Sequence, residues 1–145
     1  MNQIDHRYEG WDAQTYHKVS NIQETWAQEL LSSRQWDGDV VVFDAGCGSG
    51  RVTKIISNLA PKGKVYAVDF DQNMITMAKS NLHNEKNIKF IVADISLVEM
   101  AEEVDVVFSN AVIHRIPDHH RLFSNFRRRL KDGGDILIRC GGKVI

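Results

Sequence analysis

The chain alternates short apolar runs with stretches of helical periodicity. Val40-Val41-Val42-Phe43 is apolar at every position, as a strand covered on both faces must be. It runs into Asp44-Ala45-Gly46-Cys47-Gly48-Ser49-Gly50, after which Val52, Ile55, Ile56 and Leu59 recur at i, i+3, i+4 and i+7. That spacing predicts a helix packed by one face. The pattern then repeats. Beyond the break at Pro61-Lys62-Gly63, residues 64–69 predict a second strand, and Met74, Ile75, Ala78 and Leu82 mark the apolar face of the helix after it. Residues 87–92 and 104–108 predict a third and a fourth strand. A helix capped by Asp118, with His119 and His120 at its solvated start, carries Leu122, Phe123, Phe126 and Leu130 inward, and Asp132-Gly133-Gly134 turns the chain into a fifth strand over 135–139. Ahead of all this, a helix from about Ala13 to Arg34, with a break placed near Ser20, sets Val19, Ile22, Trp26 and Leu30 on one side. Strands alternating with helices predict a doubly wound α/β sheet with helices on both faces.

The glycine turn is the first candidate site. Glycine admits backbone angles closed to other residues and lets a ligand approach without meeting a Cβ. The helix start beyond it is expected to offer N–H groups to an anion. A dinucleotide fingerprint, G-x-G-x-x-G or G-x-G-x-x-A, would be the first thought. Gly46 and Gly48 fit it, but its third glycine falls on Arg51, and the extra glycine is Gly50.

Carboxylates form the second pattern. Asp44, Asp69 and Asp94 each close a predicted strand, spaced 25 residues apart. Ligands in such sheets bind outside the carboxyl ends of the strands. A carboxylate at the second strand's tip can accept from both hydroxyls of a ribose. The competing role for Asp69 is a helix cap, but Asp71 is better placed for that and is expected to leave Asp69 free. Asp94 is either a ligand group or the cap of its own turn.

These residues carry a family resemblance. Asp44 to Gly50 resembles the first motif of class I S-adenosylmethionine (SAM) dependent methyltransferases. Ser109-Asn110-Ala111-Val112-Ile113-His114 resembles the fourth motif of their small-molecule branch, seen in enzymes similar to trans-aconitate and quinone-biosynthesis methyltransferases. Leu130 to Gly134 is similar to the family's entry to its fifth strand. The resemblance implies parallel strands in order 3-2-1-4-5 in a Rossmann-like core over 39–145, with residues 1–38 as a helical arm. It implies SAM as cofactor. Asp44, Ala45, Gly46, Cys47, Gly48 and Gly50 would wrap its methionine part, and Asp69 would hold the ribose. Phe70, Met74, Asp94 and Ile95 would surround the adenine, and Asn110 would sit beside the sulfonium. His114 would face the acceptor as general base, the alternative being a packing histidine. Tyr16 and His17 are the flap candidates in an aromatic arm that otherwise packs as a surface segment.

Composition narrows the partners. Eighteen basic and nineteen acidic residues give a formal charge of −1, which makes no electrostatic case for nucleic acid. The fourth motif also lacks the N-P-P-Y of nucleic-acid and protein amide methyltransferases. No apolar run reaches the roughly 20 residues that span a bilayer. Two cysteines, Cys47 and Cys140, are expected as reduced thiols in a cytoplasmic protein. No metal is required. A small-molecule acceptor is the expected partner. The family domain adds a sixth and a seventh strand that the chain is expected to lack, which would leave an apolar fifth strand as an open edge. Self-association, or a partner covering that edge, follows as an expectation. The competing readings are a SAM-binding but catalytically incomplete subunit and an NAD-dependent oxidoreductase.

Overall fold

The computed structural model describes residues 13–110 and 112–140, apart from the side chains of residues 13–20 and of His114. Along the chain run α1 (Ala13–Leu31), β1 (Val41–Ala45), α2 (Arg51–Leu59), β2 (Lys64–Asp69), α3 (Gln72–Asn81), β3 (Ile88–Val92), β4 (Val104–Asn110), α4 (His119–Arg129) and β5 (Leu130–Arg139). A 3-10 turn, Ile113–Arg115, links β4 to α4. The strands form one parallel sheet in the order β3-β2-β1-β4-β5, as expected.

Alternation along each strand sends neighbouring residues to opposite faces and so builds two cores. On one face Phe43, Tyr66, Val68, Val104 and Val107 pack with Leu122 and Phe126 of α4, together with Ile95 and Val98 from the segment after β3. Phe43 and Phe126 meet edge to face at 5.6 Å. On the other, Val42, Val65, Val106 and Phe108 pack with Ala27 and Leu31 of α1 and Ile56 of α2. Fully burying side chains of this size contributes about 2–3 kcal/mol each, so these contacts dock the helices. Caps set where α3 and α4 begin. Asp71 accepts from the N–H of Asn73 at 2.8 Å, and Asp118 accepts from that of Arg121 at 3.0 Å. Such caps contribute about 1 kcal/mol each.

Four expectations are corrected. The helix α1 is unbroken at Ser20 and ends at Leu31. Its buried residues there are Ala27 and Leu31, with Leu30 half-buried against the same core, Trp26 half-buried and Ile22 exposed. Phe123 is 39% exposed instead of facing inward; Leu122 and Phe126 fill that position, with Leu130 half-buried against them. His119, expected in solvent, is half-buried: its Nε2 lies 2.8 Å from the carbonyl of Ile113, and its ring stands edge-on to Phe123. The fifth strand opens at Leu130. The turn residues 131–134 lie inside it as an irregularity, since Val104 pairs with Leu130 but Val106 with Asp135.

Candidate functional site

The parallel register brings the ends of β1, β2 and β3 side by side, with Ala45 opposite Val68 and Asp69 opposite Val92. Asp44, Asp69 and Asp94 therefore stand at adjacent strand ends, with Asn110 closing β4. The glycine turn folds back over β2: the N–H groups of Gly46 and Cys47 both donate to the carbonyl of Val68, at 2.8 and 3.0 Å. Gly50 donates to the carbonyl of Cys47 at 3.1 Å. Gly48 donates to the Asp69 carboxylate at 3.0 Å. Four turn donors are thus spent inside the chain; the N–H groups that open α2, of Arg51, Val52 and Thr53, are not among them.

Asp69 is not free either. One carboxylate oxygen accepts from Gly48 and the other from the N–H of Asp71 at 3.0 Å, so this side chain ties the turn to the start of α3. The assignment of the cap to Asp71 holds; the inference that Asp69 is therefore unengaged does not. Burial pushes the Asp69 carboxyl up, while the two N–H donors, and the Arg115 charge to a lesser extent, favour its ionised form. Asp44 lies deeper, 3% exposed, and its carboxylate accepts from the Thr53 hydroxyl at 2.6 Å. Burial raises the Asp44 carboxyl from 3.8 to about 7, against the Thr53 hydrogen bond and with a further push from Asp69. The same burial, reinforced by both carboxylates, drives the Cys47 thiol well above its usual range, which leaves it unreactive.

Two glycines differ in what surrounds them. Gly46 has φ of +87°, and a Cβ there would lie 2.6 Å from a Val112 methyl. Its close neighbour is thus a side chain from beyond β4. Gly48 has φ of +55°, and a Cβ there would meet nothing within 4 Å. Gly48 is where the turn opens to a ligand.

Around these, Phe70 is 64% exposed, Met74 half-buried and Val92 exposed, so apolar surface flanks the carboxylates. Asp94 is exposed and accepts from the N–H of Ser96 at 2.8 Å, which makes it the cap of its turn while leaving it open to solvent. Ile95 is buried beside it. The Asn110 Nδ2 donates to the carbonyl of Gln23 on α1 at 3.2 Å, and its Oδ1 is buried with no partner among the described residues. Ala45 closes β1 in the core and its carbonyl accepts from the Ser109 hydroxyl at 2.9 Å. The Tyr16, His17 and His114 side chains, and the residues before Ala13, lie outside the described residues.

Four supporting residues escaped the sequence reading. Thr53 had a signal, a polar residue amid the apolar positions of α2, one turn past the glycines. Val112 packs against Gly46, and Arg115 acts on Asp69. Asn125, buried in α4, donates to the carbonyls of Ile95 and Val98 at 2.9 and 3.2 Å and so holds the segment carrying Asp94. Chemically, these strand ends gather buried carboxylates, an amide oxygen without a partner among the described residues, and exposed apolar groups. The arrangement suits a ligand with cationic and hydroxyl donors.

Comparison with known proteins agrees. Residues 43–138 match a family model described as a methyltransferase domain. The chain is 33% identical over 135 residues to a malonyl-[acyl-carrier protein] O-methyltransferase of Bacillus anthracis, covering 90% of this chain and 50% of the relative. It is 32% identical over 129 residues to a trans-aconitate 2-methyltransferase of Azoarcus sp. (strain BH72), covering 89% and 50%. Among solved structures it is similar to phosphoethanolamine N-methyltransferase 1 of Haemonchus contortus, in complex with phosphoethanolamine and S-adenosylhomocysteine. That match has a TM-score of 0.74 and 25% identity, and covers 86% of this chain and 28% of that one. The chain spans about half the length of the curated relatives it matches.

Proposed function

Because the chain belongs to the methyltransferase domain family, we propose that it binds SAM and serves methyl transfer to a small-molecule acceptor. The observation that carries this reading is the pair of buried carboxylates, Asp44 and Asp69, joined by one turn at the carboxyl ends of β1 and β2. Such a site suits a ligand whose charges are a sulfonium and an ammonium, while the distinction from a dinucleotide rests on the glycine spacing, with Arg51 where a third glycine would stand. Asp69 is the ribose ligand, with Phe70, Met74, Asp94 and Ile95 around the adenine. Asp44 and the turn from Ala45 to Gly50, with Asn110, hold the methionine end. Tyr16, on the arm over 1–38, closes over it. When bound, the cofactor supplies an electrophilic methyl group. His114 is the group assigned to take the acceptor's proton, since imidazole titrates near neutral pH. By their names the relatives methylate malonyl-[acyl-carrier protein] and trans-aconitate; a small acid or acyl acceptor is the corresponding reading here. No helix among the described residues is long and apolar enough to cross a membrane; the cytoplasm is the setting proposed, in keeping with Cys47 and Cys140 as free thiols.

Calorimetric titration with SAM, S-adenosylhomocysteine and NAD in parallel tests the reading. Micromolar binding of the first two is expected, about −8 kcal/mol, with none for NAD. Asp69→Ala is expected to lose it by at least tenfold, through both the ribose contact and the slackened turn. Phe70→Ala, at an exposed position, weakens binding without lowering the melting temperature. NAD binding alone would overturn the assignment.

A second reading rests on the outer edge of β5. That strand ends the sheet, and Ile136 on it is 40% exposed. Unpaired edges of this kind recruit another strand. A subunit completed by a second copy or a partner at this edge is the result, and sedimentation velocity is expected to show concentration-dependent dimers. A monomer at every concentration counts against it.

A further inference from the structure

We propose that α1 is part of the ligand site: the carbonyl of Gln23 holds the Asn110 amide in one orientation, so that Oδ1 is kept for an N–H or O–H donor on the bound ligand. The inference deepens the proposed function and rests on it. An amide side chain has nearly the same shape when its oxygen and nitrogen exchange places. What distinguishes the two is the partner, and a backbone carbonyl only accepts. The Gln23 carbonyl, 3.2 Å from Nδ2, therefore selects the nitrogen and turns the oxygen the other way. That oxygen is buried and has no partner among the described residues. Buried polar atoms are almost always paired, so an orphan at the carboxyl end of a central parallel strand marks a place where a ligand supplies the missing donor.

The position of α1 is itself fixed from the same end of the sheet. Arg139, closing β5, donates to the Glu29 carboxylate at 3.1 Å and to the Trp26 carbonyl at 3.4 Å, and its guanidinium stacks on the Trp26 ring at 5.2 Å. Arg51, opening α2, pairs with Glu24 and Asn21, both at 3.0 Å. These contacts hold Gln23 over Asn110. The donor is either the ammonium of the cofactor's amino-acid end or the hydroxyl or amine of the acceptor. Both present the same chemistry to Oδ1.

Calorimetry on the full chain separates them. S-adenosylhomocysteine carries the amino-acid end, whereas 5′-methylthioadenosine shares its nucleoside and thioether without it. Asn110→Leu keeps the side-chain volume and removes the acceptor. If the donor is the ammonium, this variant binds S-adenosylhomocysteine about ten- to a hundredfold more weakly, as loss of a charged hydrogen bond requires, and binds 5′-methylthioadenosine unchanged. If the donor is on the acceptor, both nucleosides bind as before and the acceptor's KM rises or kcat falls. Arg139→Leu, which frees α1 without touching the ligand, reproduces either pattern at smaller size and speeds solvent exchange of the Asn110 side-chain amide in NMR spectra. Retained 5′-methylthioadenosine binding serves as the fold control. Wild-type binding of neither nucleoside sinks the cofactor reading and this inference with it. Normal ligand binding and acceptor kinetics in Asn110→Leu, or unchanged amide exchange in Arg139→Leu, sink the inference alone.

Discussion

Gly46→Ala is expected to lower the stability of the chain by about 3 kcal/mol and to abolish cofactor binding. Two effects add. A φ of +87° costs a residue with a Cβ roughly 1–2 kcal/mol. The new methyl would lie 2.6 Å from Val112, and forcing extra volume into a packed place costs about 1–3 kcal/mol. Val112 must retreat, and it belongs to the segment between Asn110 and the turn bearing His114, so the strain passes straight to the acceptor side. With domains stable by about 5–15 kcal/mol, the folded state survives but its melting temperature falls by roughly 10 °C. Gly48→Ala is the matched control. Its φ of +55° also disfavours alanine, yet the methyl meets nothing within 4 Å. A drop of about 1 kcal/mol is expected there, together with a loss of ligand affinity larger than the loss of stability. Thermal melts and titrations of the two variants check both statements. Equal melting temperatures for the two would show that Val112 yields without cost.

The second large effect is a pH dependence centred on Asp44. Its carboxyl titrates near 3.8 when exposed and at about 7 when folded. Between those values the folded chain holds a proton that the unfolded chain has released. Stability is therefore greatest at the acid end of this window and declines as pH rises through it. The slope is about 1.4 kcal/mol per pH step, on the order of 4 kcal/mol in all from Asp44. Asp69, also raised by burial, adds in the same direction. Binding of a ligand that sets its ammonium beside Asp44 runs the opposite way, because that positive group favours the ionised carboxylate. Affinity for S-adenosylhomocysteine is expected to climb as pH rises towards 7, with release of a proton measurable at pH 6 in buffers of different ionisation enthalpy. Asp44→Asn flattens both profiles. Thr53→Val, which removes the hydroxyl favouring ionisation, moves the binding profile to higher pH. An unaltered slope in Asp44→Asn would assign the effect to other groups.

Much of the site was legible because its chemistry is local. Asp44, Asp69 and Asp94 follow apolar runs directly, and a parallel sheet puts such positions on one edge whatever the details of packing. The glycine spacing separated this turn from the dinucleotide fingerprint before any fold was known. The roles within the site were less legible. Asp69 looked unengaged because Asp71 was the better cap, yet it holds Gly48 and Asp71 through contacts made only when the turn folds back on β2. His119 looked solvated because two histidines and an arginine open α4, yet a carbonyl of the preceding 3-10 turn takes its ring.

By itself, the sequence determined the alternation of strands and helices, the caps at Asp71 and Asp118, and the carboxylates at the ends of the first three strands. All of these depend on periodicities and short spacings within one element or one turn. Only the tertiary structure decided that Val112 sits on Gly46, that Thr53 holds Asp44, that Asn125 braces the segment at Asp94, and that α1 reaches Asn110. Each of the four joins two separate elements. Which side chain fills such a place depends on how closely the elements approach, and that distance is set by the packing of the core as a whole.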